Sequence, residues 1–302
     1  MNITITGATG FIGRRLIQRL GADPHQLHVL SRRTNIQFGD TAVWITKWDP
    51  LQEDPPEESL ANADAVVHLA GEPVAQRWTP EAKNKIRASR VVSTQRLVHA
   101  LSALPHRPAV LVCGSAVGIY GSRGDEILTE SSAPGNDFLA EVCEEWEKQA
   151  INAESLGMRV ARIRTGVVLG KGGGALQKML PPFKAFVGGR IGSGKQWMSW
   201  IHLDDLVGII CHALANPMSG AFNGTAPNPV TNAAFTSELA SALGRPALFP
   251  VPGFALKAMF GEMAEMLLGG QRVLPRATEA AEYRFQYPEL GPALRNILSN
   301  PY

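Results

Sequence analysis

The 302-residue chain has few cysteines, no long apolar run and no excess of charge of either sign. Its three cysteines, Cys113, Cys143 and Cys211, are far apart and lack metal-ligand spacing, so we expect no disulfide framework and no metal site. No apolar segment approaches the about 20 residues that a membrane-spanning helix needs. The net charge is +2 and the basic residues are scattered, which argues against nucleic-acid and membrane-surface binding.

These scarcities also bear on location. A sparse, odd set of cysteines is typical of a reducing compartment. The first residues already have the pattern of a core strand, so we expect no signal peptide and predict a cytoplasmic protein. The acidic clusters EDPPEE and EVCEEWE are interpreted as a solvated loop and a solvated helix face. The oligomeric state stays open.

The opening segment, MNITITGATGFIGRRLIQRL, is rich in glycine where a strand passes into a helix. A β-branched strand, three glycines at intervals of three and an amphipathic helix follow one another, which is the context of a dinucleotide-binding turn. Small residues let the backbone approach a pyrophosphate, and the helix N-terminus supplies N–H groups. The alternative is a tight turn without a ligand. The residues expected to contact a cofactor here are Gly7, Thr9, Gly10, Phe11, Ile12 and Gly13.

Strands alternate with helices along the first half of the chain. We predict strands at 2–6, 27–30, 42–46, 65–71, 110–113 and 159–164, and helices at 11–20, 80–104 and 138–156. This alternation predicts an α/β fold, a Rossmann-type doubly wound parallel sheet, with a smaller C-terminal α+β domain on the substrate side. The expected division is 1–165, completed by parts of 195–225, and 166–302. A further helix is expected to be capped near Asp204 or Asp205, and an apolar stripe at 256–267 is interpreted as core or interface.

The end of the second predicted strand indicates which cofactor fits. An NAD site usually places a carboxylate there, and an NADP site places a cation for the 2′-phosphate. The chain has Ser31, Arg32 and Arg33 at this point, with no acidic residue before Asp40. We therefore predict NADP (NADPH), bound by Arg32 with Ser31 as a hydroxyl donor. Two solvated arginines are the alternative.

Several stretches together resemble the extended short-chain dehydrogenase/reductases, the family of nucleotide-sugar epimerases and dehydratases. They occur in the family's order as TGATGFIG, HLAG, GSAVGIYG, RIRTGVVLG and WIHLDDLV. The resemblance implies that Leu69, Ala70 and Gly71 lie beside the cofactor ribose. It also places Arg90 where the family usually has an asparagine facing the active site. There Arg90 could reach the cofactor or an anionic substrate, or form a surface salt bridge.

A narrower resemblance covers nearly the whole chain. Stretches such as GVVLGKGGGAL, GSGKQWMSWIH, FNGTAPNPVTNAAF and LLGGQRVLP are similar to an atypical subgroup called epimerase family proteins, or nucleoside-diphosphate-sugar epimerase-like proteins. A C-terminal segment of its own distinguishes that subgroup. The label follows the fold and is weak evidence for an activity.

The chain departs from the family at its proton-transfer pair. The tyrosines are Tyr120, Tyr283, Tyr287 and Tyr302, and none begins a Tyr-x-x-x-Lys motif. On the matching helix the family's pair falls near Leu139 and Cys143, and Ala116 lies where a catalytic hydroxyl belongs. Ser115 is our catalytic candidate. Other titratable candidates, each with a structural alternative, are Tyr120, Glu141, Cys143, His202 and Asp204.

Two classes of function remain. The favoured one is an NADP(H)-binding oxidoreductase or epimerase-like protein that lacks the usual tyrosine and lysine. It would act on a small-molecule substrate with anionic or sugar-like groups as candidates. Lys195, Trp197 and Trp200 could form a wall of that pocket or simply pack. The alternative is a non-catalytic NADPH-binding sensor or partner-binding protein. A scaffold without nucleotide leaves Arg32 and the glycine turn without a role.

Overall fold

The computed structural model describes residues 1–299, and its secondary structure alternates as the sequence predicts through the first half. The strands are β1 (Asn2–Thr6), β2 (Gln26–Ser31), β3 (Trp44–Lys47), β4 (Ala65–His68), β5 (Val110–Ala116), β6 (Ile127–Leu128), β7 (Arg159–Thr165), β8 (Val167–Leu169), β9 (Trp197–Met198), β10 (Trp200–His202), β11 (Gly220–Gly224), β12 (Val230–Thr231) and β13 (Arg272–Val273). The helices are α1 (Phe11–Leu20), α2 (Pro80–Ala103), α3 (Phe138–Ile151), α4 (Gly174–Lys184), α5 (Leu203–Ala215), α6 (Asn232–Leu243), α7 (Gly253–Phe260), α8 (Ala264–Leu268), α9 (Arg276–Ala280) and α10 (Leu290–Ser299).

Seven of these strands form one parallel sheet in the order β3-β2-β1-β4-β5-β7-β11. Helices α1 and α5 bury apolar side chains such as Leu16 and Leu206 on one face. Helices α2 and α3 bury Leu97 and Trp146, among others, on the opposite face. The sheet is therefore doubly wound, and the Rossmann-type fold is confirmed. Because the chain order reverses between β1 and β4, the carboxyl ends of these strands form the crevice in which such folds bind ligands.

The part of the chain beyond β7 is less regular. Within the described part of the chain, three two-stranded pairs lie outside the main sheet: β8 with β10, β9 with β12, and β13 with β6 from before β7. Helices α4, α6 and α10 share a separate apolar core with Trp200. Strand β11 returns to the large sheet beside β7. The division of the chain at residue 165 stays a prediction.

Some boundaries differ from the predicted ones. The helix predicted to end at 156 is α-helical only to Ile151 and continues as a 3₁₀ turn over Asn152–Leu156. Helix α5 is capped by His202, whose side chain accepts a hydrogen bond from the Asp204 backbone N–H, and not by an aspartate. The apolar stripe at 256–267 is mixed: Leu256 and Met263 are buried, whereas Met259 is 61% exposed.

Candidate functional site

The glycine turn after β1 has two glycines that the fold itself requires. Gly7 has φ +71°, and a Cβ there would lie 2.5 Å from the carbonyl carbon of Leu69. A Cβ at Gly13 would lie 2.3 Å from the carbonyl oxygen of Gly7. At Gly10 the nearest protein atom would be 3.3 Å away. The packing thus explains Gly7 and Gly13, and Gly10 leaves the surface in front of α1 open.

The N-terminus of α1 carries donors that no protein group accepts. Gly10 is the N-cap, it has no capping side chain, and the first turn has no acidic residue. Within residues 1–299 the backbone N–H groups of Phe11, Ile12 and Gly13 have no acceptor. Unpaired N–H groups at the positive end of a helix dipole attract an anion, so this turn suits a phosphate. Thr9 lies beside it and accepts a hydrogen bond from Arg14.

The end of β2 presents an unpaired cation. Arg32 is exposed, and its guanidinium has no hydrogen bond or ion pair among the described residues. Ser31 is half-buried, and its Oγ accepts a hydrogen bond from the Arg33 backbone at 3.2 Å. Because β2 lies next to β1, Arg32 is at the same edge of the sheet as the glycine turn. This edge suits a ligand with two anionic parts.

The end of β4 borders the same turn on the other side. His68 is fully buried, and a hydrogen bond of 2.7 Å joins its Nδ1 to Thr6 Oγ1, which also accepts from the Ala70 N–H. Burial lowers the pKa of His68 to about 4, so the ring is neutral at pH 7. This pair fixes the segment that contains Leu69, Ala70 and Gly71 beside the glycine turn. This pair was not predicted, although the sequence shows a threonine and a histidine at the ends of two strands.

Arg90 of α2 reaches this segment. A Cβ on Gly71 would lie 3.2 Å from Arg90 Cζ, so the guanidinium packs on that glycine. It donates to the Ile86 carbonyl at 3.0 Å and lies 5.4 Å from the Trp146 ring centroid. Burial lowers the pKa of Arg90, and no carboxylate among residues 1–299 forms an ion pair with it. The surface salt bridge considered for this residue is therefore not present.

The positions of the family's proton-transfer pair are apolar. Leu139 and Cys143 of α3 face the turn after β5, because a Cβ on Gly118 would lie 3.3 Å from Leu139 Cβ and 4.0 Å from Cys143 Sγ. Burial raises the pKa of the Cys143 thiol to about 12, so it stays protonated at neutral pH. Among the charges that act on the Cys143 thiol, that of Arg90 has the largest effect, and it lowers the pKa against the effect of burial. The structure thus brings a cation, and no general acid of ordinary pKa, to this place.

Ser115 belongs to a buried polar network behind that position. Its hydroxyl donates to Glu147 at 2.7 Å, and Glu147 also accepts from Arg164 Nε at 2.7 Å and Arg162 Nη1 at 3.0 Å. Arg164 donates to the Tyr120 hydroxyl, which donates to Asn223. Burial opposes the charge of Arg164, but Glu147 outweighs it and raises the pKa of that arginine. The catalytic role predicted for Ser115 stays a prediction; its proton is directed to Glu147.

Glu147 corrects one interpretation of the sequence. It belongs to EVCEEWE, which predicts a solvated helix face, yet only 5% of its side chain is exposed. The signal that could have revealed it is the Arg-x-Arg pattern of β7, since Arg162 and Arg164 point to the same side of the strand. Two buried arginines need a buried carboxylate.

The remaining candidates lie in separate structural contacts. Glu141 pairs with Arg87 at 3.0 Å on the surface, and Asp204 pairs with Arg15 at 2.6 Å. His202 caps α5 and stacks on Tyr287. Trp200 is fully buried, and Trp197 is half-buried with Arg272 over its ring. No cluster of His, Cys, Asp and Glu that could hold a metal occurs among residues 1–299. None of the helices described there could cross a bilayer.

Phe11 connects the glycine turn to the less regular half. Cβ atoms at Gly170, Gly173 and Gly174 would lie 2.4–2.9 Å from its ring. These three glycines therefore form a cradle for the ring, in which a larger residue would collide with Phe11. The cradle leads directly into α4. Both glycine-rich stretches are evident in the sequence, but nothing there indicates that Phe11, beside the first, packs on the second.

A doubly wound sheet with an uncapped glycine turn and a free arginine after β2 defines a dinucleotide-binding protein of the Rossmann class. Residues 3–225 match the NAD dependent epimerase/dehydratase family, and residues 251–297 match a domain of unknown function, DUF1731. The chain belongs to this epimerase/dehydratase family.

Relatives similar to this chain extend over its whole length. The Arabidopsis thaliana epimerase family protein SDR39U1 homolog, chloroplastic, is 47% identical over 99% of this chain and 87% of its own. The human epimerase family protein SDR39U1, in a crystal structure with NADPH, is 38% identical with a TM-score of 0.89, and each chain is fully covered. A UDP-glucuronic acid 4-epimerase from Bacillus cereus in complex with NAD has a TM-score of 0.78 at 17% identity, covering 98% of this chain and 95% of its own, a likeness of fold alone.

Proposed function

We propose that this chain binds NADP(H) along the carboxyl edge of its sheet. The observation that carries the proposal is the set of unpaired donors there, three backbone N–H groups at the start of α1 and the free guanidinium of Arg32. The N–H groups would hold the pyrophosphate. Arg32, with Ser31 beside it, would hold the 2′-phosphate that distinguishes NADP from NAD. The NADPH in the structure of the human relative supports this choice.

The nicotinamide half would lie over the ends of β4 and β5. A dinucleotide that starts at β2 and crosses the α1 N-terminus continues towards these strands, because they follow β1 in the sheet. Leu69, Ala70 and Gly71 would border its ribose. Arg90 would face that ribose or the substrate, since its guanidinium packs on Gly71 and has no carboxylate partner in residues 1–299.

On this basis the chain is an NADP(H)-dependent oxidoreductase or epimerase-like protein with altered proton chemistry. The cofactor supplies or accepts hydride. Arg90 would stabilise negative charge on a substrate oxygen, because a cation in a half-buried place acts more strongly than one in water. Leu139 has no proton to transfer, and burial raises the pKa of the Cys143 thiol to about 12, which makes it a poor proton donor at neutral pH. The substrate is a small molecule, and anionic or sugar-like groups fit the surrounding cations.

A non-catalytic NADPH-binding sensor is the second candidate. The observation in its favour is that Ala116, Leu139 and Cys143 together leave the family's proton-transfer positions without a working acid or base. A cytoplasmic location and a division of the chain near residue 165 are parts of both proposals. The three free cysteines favour a reducing compartment. The name of the plant relative places that protein in a chloroplast instead.

The first experiment titrates the protein with NADPH and with NADH and follows nucleotide fluorescence. We expect Arg32→Ala to weaken NADPH binding about 10- to 100-fold, the value of a charge-assisted contact with phosphate, and to leave NADH binding unchanged. Arg33→Ala, an exposed neighbour, is the matched control and should change little. Equal affinity of the unmodified protein for both nucleotides would contradict the assignment of Arg32.

A second experiment separates the two candidates. The bound NADPH is monitored by absorbance while a panel of carbonyl compounds and sugar nucleotides is added. Oxidation that depends on one class of compound would support the oxidoreductase. A cofactor that stays reduced with every compound, in a protein that binds NADPH tightly, would favour the sensor.

A further inference from the structure

Five large apolar side chains of the C-terminal half are exposed in two segments that pair with each other. Phe186, Val187, Leu248, Phe249 and Phe254 are 48%, 54%, 74%, 57% and 78% exposed, and we call this group the apolar tip. Soluble proteins rarely expose so many large apolar side chains together without a binding role.

The tip is assembled from two segments that are distant in sequence. The Phe249 N–H donates to the Gly188 carbonyl at 3.3 Å, and the Val251 N–H donates to the Arg190 carbonyl at 2.8 Å, so residues 188–191 and 249–251 run side by side. Helix α7 begins just beyond them and carries Phe254. Three prolines, at positions 246, 250 and 252, restrict the second segment. The tip is therefore a preformed surface.

Exposed cations surround the tip. Lys184, Arg190, Arg245 and Lys257 belong to the same two segments, and the Arg245 guanidinium lies 4.3 Å from the Phe186 ring centroid. Residues 155–203 and 244–261 contain no aspartate or glutamate. Glu262 and Glu265 follow α7, and Glu262 is paired with Lys83. The surface around the apolar side chains is thus cationic.

Aromatic and aliphatic side chains within a basic rim match the chemistry of an anionic bilayer. Protein interfaces are depleted in lysine, whereas two lysines border this tip. The apolar side chains also project outward and expose about half of their surface or more, so they do not line a groove for a peptide. We propose that the apolar tip inserts into the headgroup region of a membrane rich in anionic lipid and anchors the protein there reversibly.

This proposal reverses the expectation that the sequence gives no membrane-surface site. That expectation rested on basic residues scattered along the chain, and it could not take account of two segments that meet only in the folded protein. The proposal does not depend on cofactor binding, because the tip shares no residue with the glycine turn or with Arg32.

The test is flotation of the full-length protein with vesicles of phosphatidylcholine alone and of phosphatidylcholine with phosphatidylserine. We expect binding to the anionic vesicles only, weakened by added salt. The double variant Leu248→Ser/Phe249→Ser should lose at least about tenfold in partitioning, since it removes two inserted side chains. The variant Lys257→Ala should lose about fivefold, the effect of one cation near a charged surface.

Trp44→Ser is the matched control, because Trp44 is 61% exposed on β3, away from the tip. It should bind vesicles as the unmodified protein does, and circular dichroism checks that every variant is folded. Failure of the unmodified protein to float with anionic vesicles, or flotation that Leu248→Ser/Phe249→Ser leaves unchanged, would overturn the proposal. So would a dimer in solution that this double variant converts to monomers, since a second copy would then cover the tip.

Discussion

The two ends of the candidate site differ in how their polar groups are paired. Along the cofactor edge, the first N–H groups of α1 and the guanidinium of Arg32 have no protein partner within residues 1–299. At the other end, Glu147 accepts hydrogen bonds from Ser115, Arg162 and Arg164 in a buried network. In the first arrangement the donors have no protein partner and are open to water or to a ligand. The second satisfies nearly all of its groups internally.

This difference separates binding from chemistry. Groups left unpaired at a surface are available to a ligand, whereas groups bonded to each other chiefly stabilise the fold. Where the family places its acid and base, this chain has Leu139, Cys143 and the neighbouring network. On the proposed function, the chain therefore keeps the cofactor half of the family's site and uses the proton-transfer half structurally, with Arg90 as a group that combines features of both.

The largest effect on stability should come from removing Glu147 from the buried network. Replacing Glu147 by alanine leaves the buried guanidinium of Arg164 and the partly buried one of Arg162 without a counterion, so we expect a loss of about 3–5 kcal/mol in the free energy of unfolding. Urea unfolding followed by circular dichroism measures it. Glu145→Ala on the same helix is the control: its ion pair with Arg87 is 42% exposed at the glutamate, and its loss should cost at most about 1 kcal/mol. Equal losses in both variants would contradict the description of the network.

The next largest effect on stability should come from protonation of His68, the buried histidine beside the glycine turn. The pKa of His68 is about 4 in the folded protein against 6.5 for a free histidine, so the unfolded chain binds more protons between these values. Stability should therefore fall as the pH drops from about 6.5 to 4, by up to about 3 kcal/mol, and this contribution should not change above pH 6.5.

Unfolding measured across this pH range, with His68→Asn alongside, checks the assignment. Asparagine can still bond to Thr6 but does not titrate in this range, so the variant should lose most of the slope. His106→Asn, at an exposed histidine, should keep it. A slope that survives in His68→Asn would show that other groups cause the loss.

Local patterns were sufficient for much of the fold and of the cofactor edge. The β-branched strand, the three glycines and the amphipathic α1 are contiguous, so their geometry follows from neighbouring residues. Arg32 could be predicted as a cofactor contact because a position just after β2 lies at the same edge of a parallel sheet as the glycine turn. The helix cap at His202 was missed, because aspartates are commoner caps and two of them follow it.

The buried network and the apolar tip were beyond local patterns. Ser115, Glu147 and Arg164 come from β5, α3 and β7, and only the packing of α3 on the sheet brings them together. Glutamate is mostly exposed in proteins, so EVCEEWE indicated a solvated face. The apolar tip likewise depends on two segments whose pairing has no signal in either one.

The smallest effect on stability, and the sharpest test of the contrast, should come from Arg90. Replacing it by methionine removes a half-buried cation without an ion-pair partner in residues 1–299, and the relief of its burial offsets the lost contact with Trp146. We expect the free energy of unfolding to change by at most about 0.5 kcal/mol. The stabilisation that saturating NADPH gives should nevertheless shrink, since it follows the affinity.

Arg164→Met should show the opposite pattern. It should lose several kcal/mol of stability, because Arg164 no longer bonds to Glu147, and it should keep the stabilisation by NADPH. Thermal unfolding of both variants, with and without NADPH, measures the stability of each variant and the stabilisation that NADPH gives it. An Arg90→Met protein that is as unstable as Arg164→Met, with NADPH stabilisation intact, would place Arg90 in the structural half of the site.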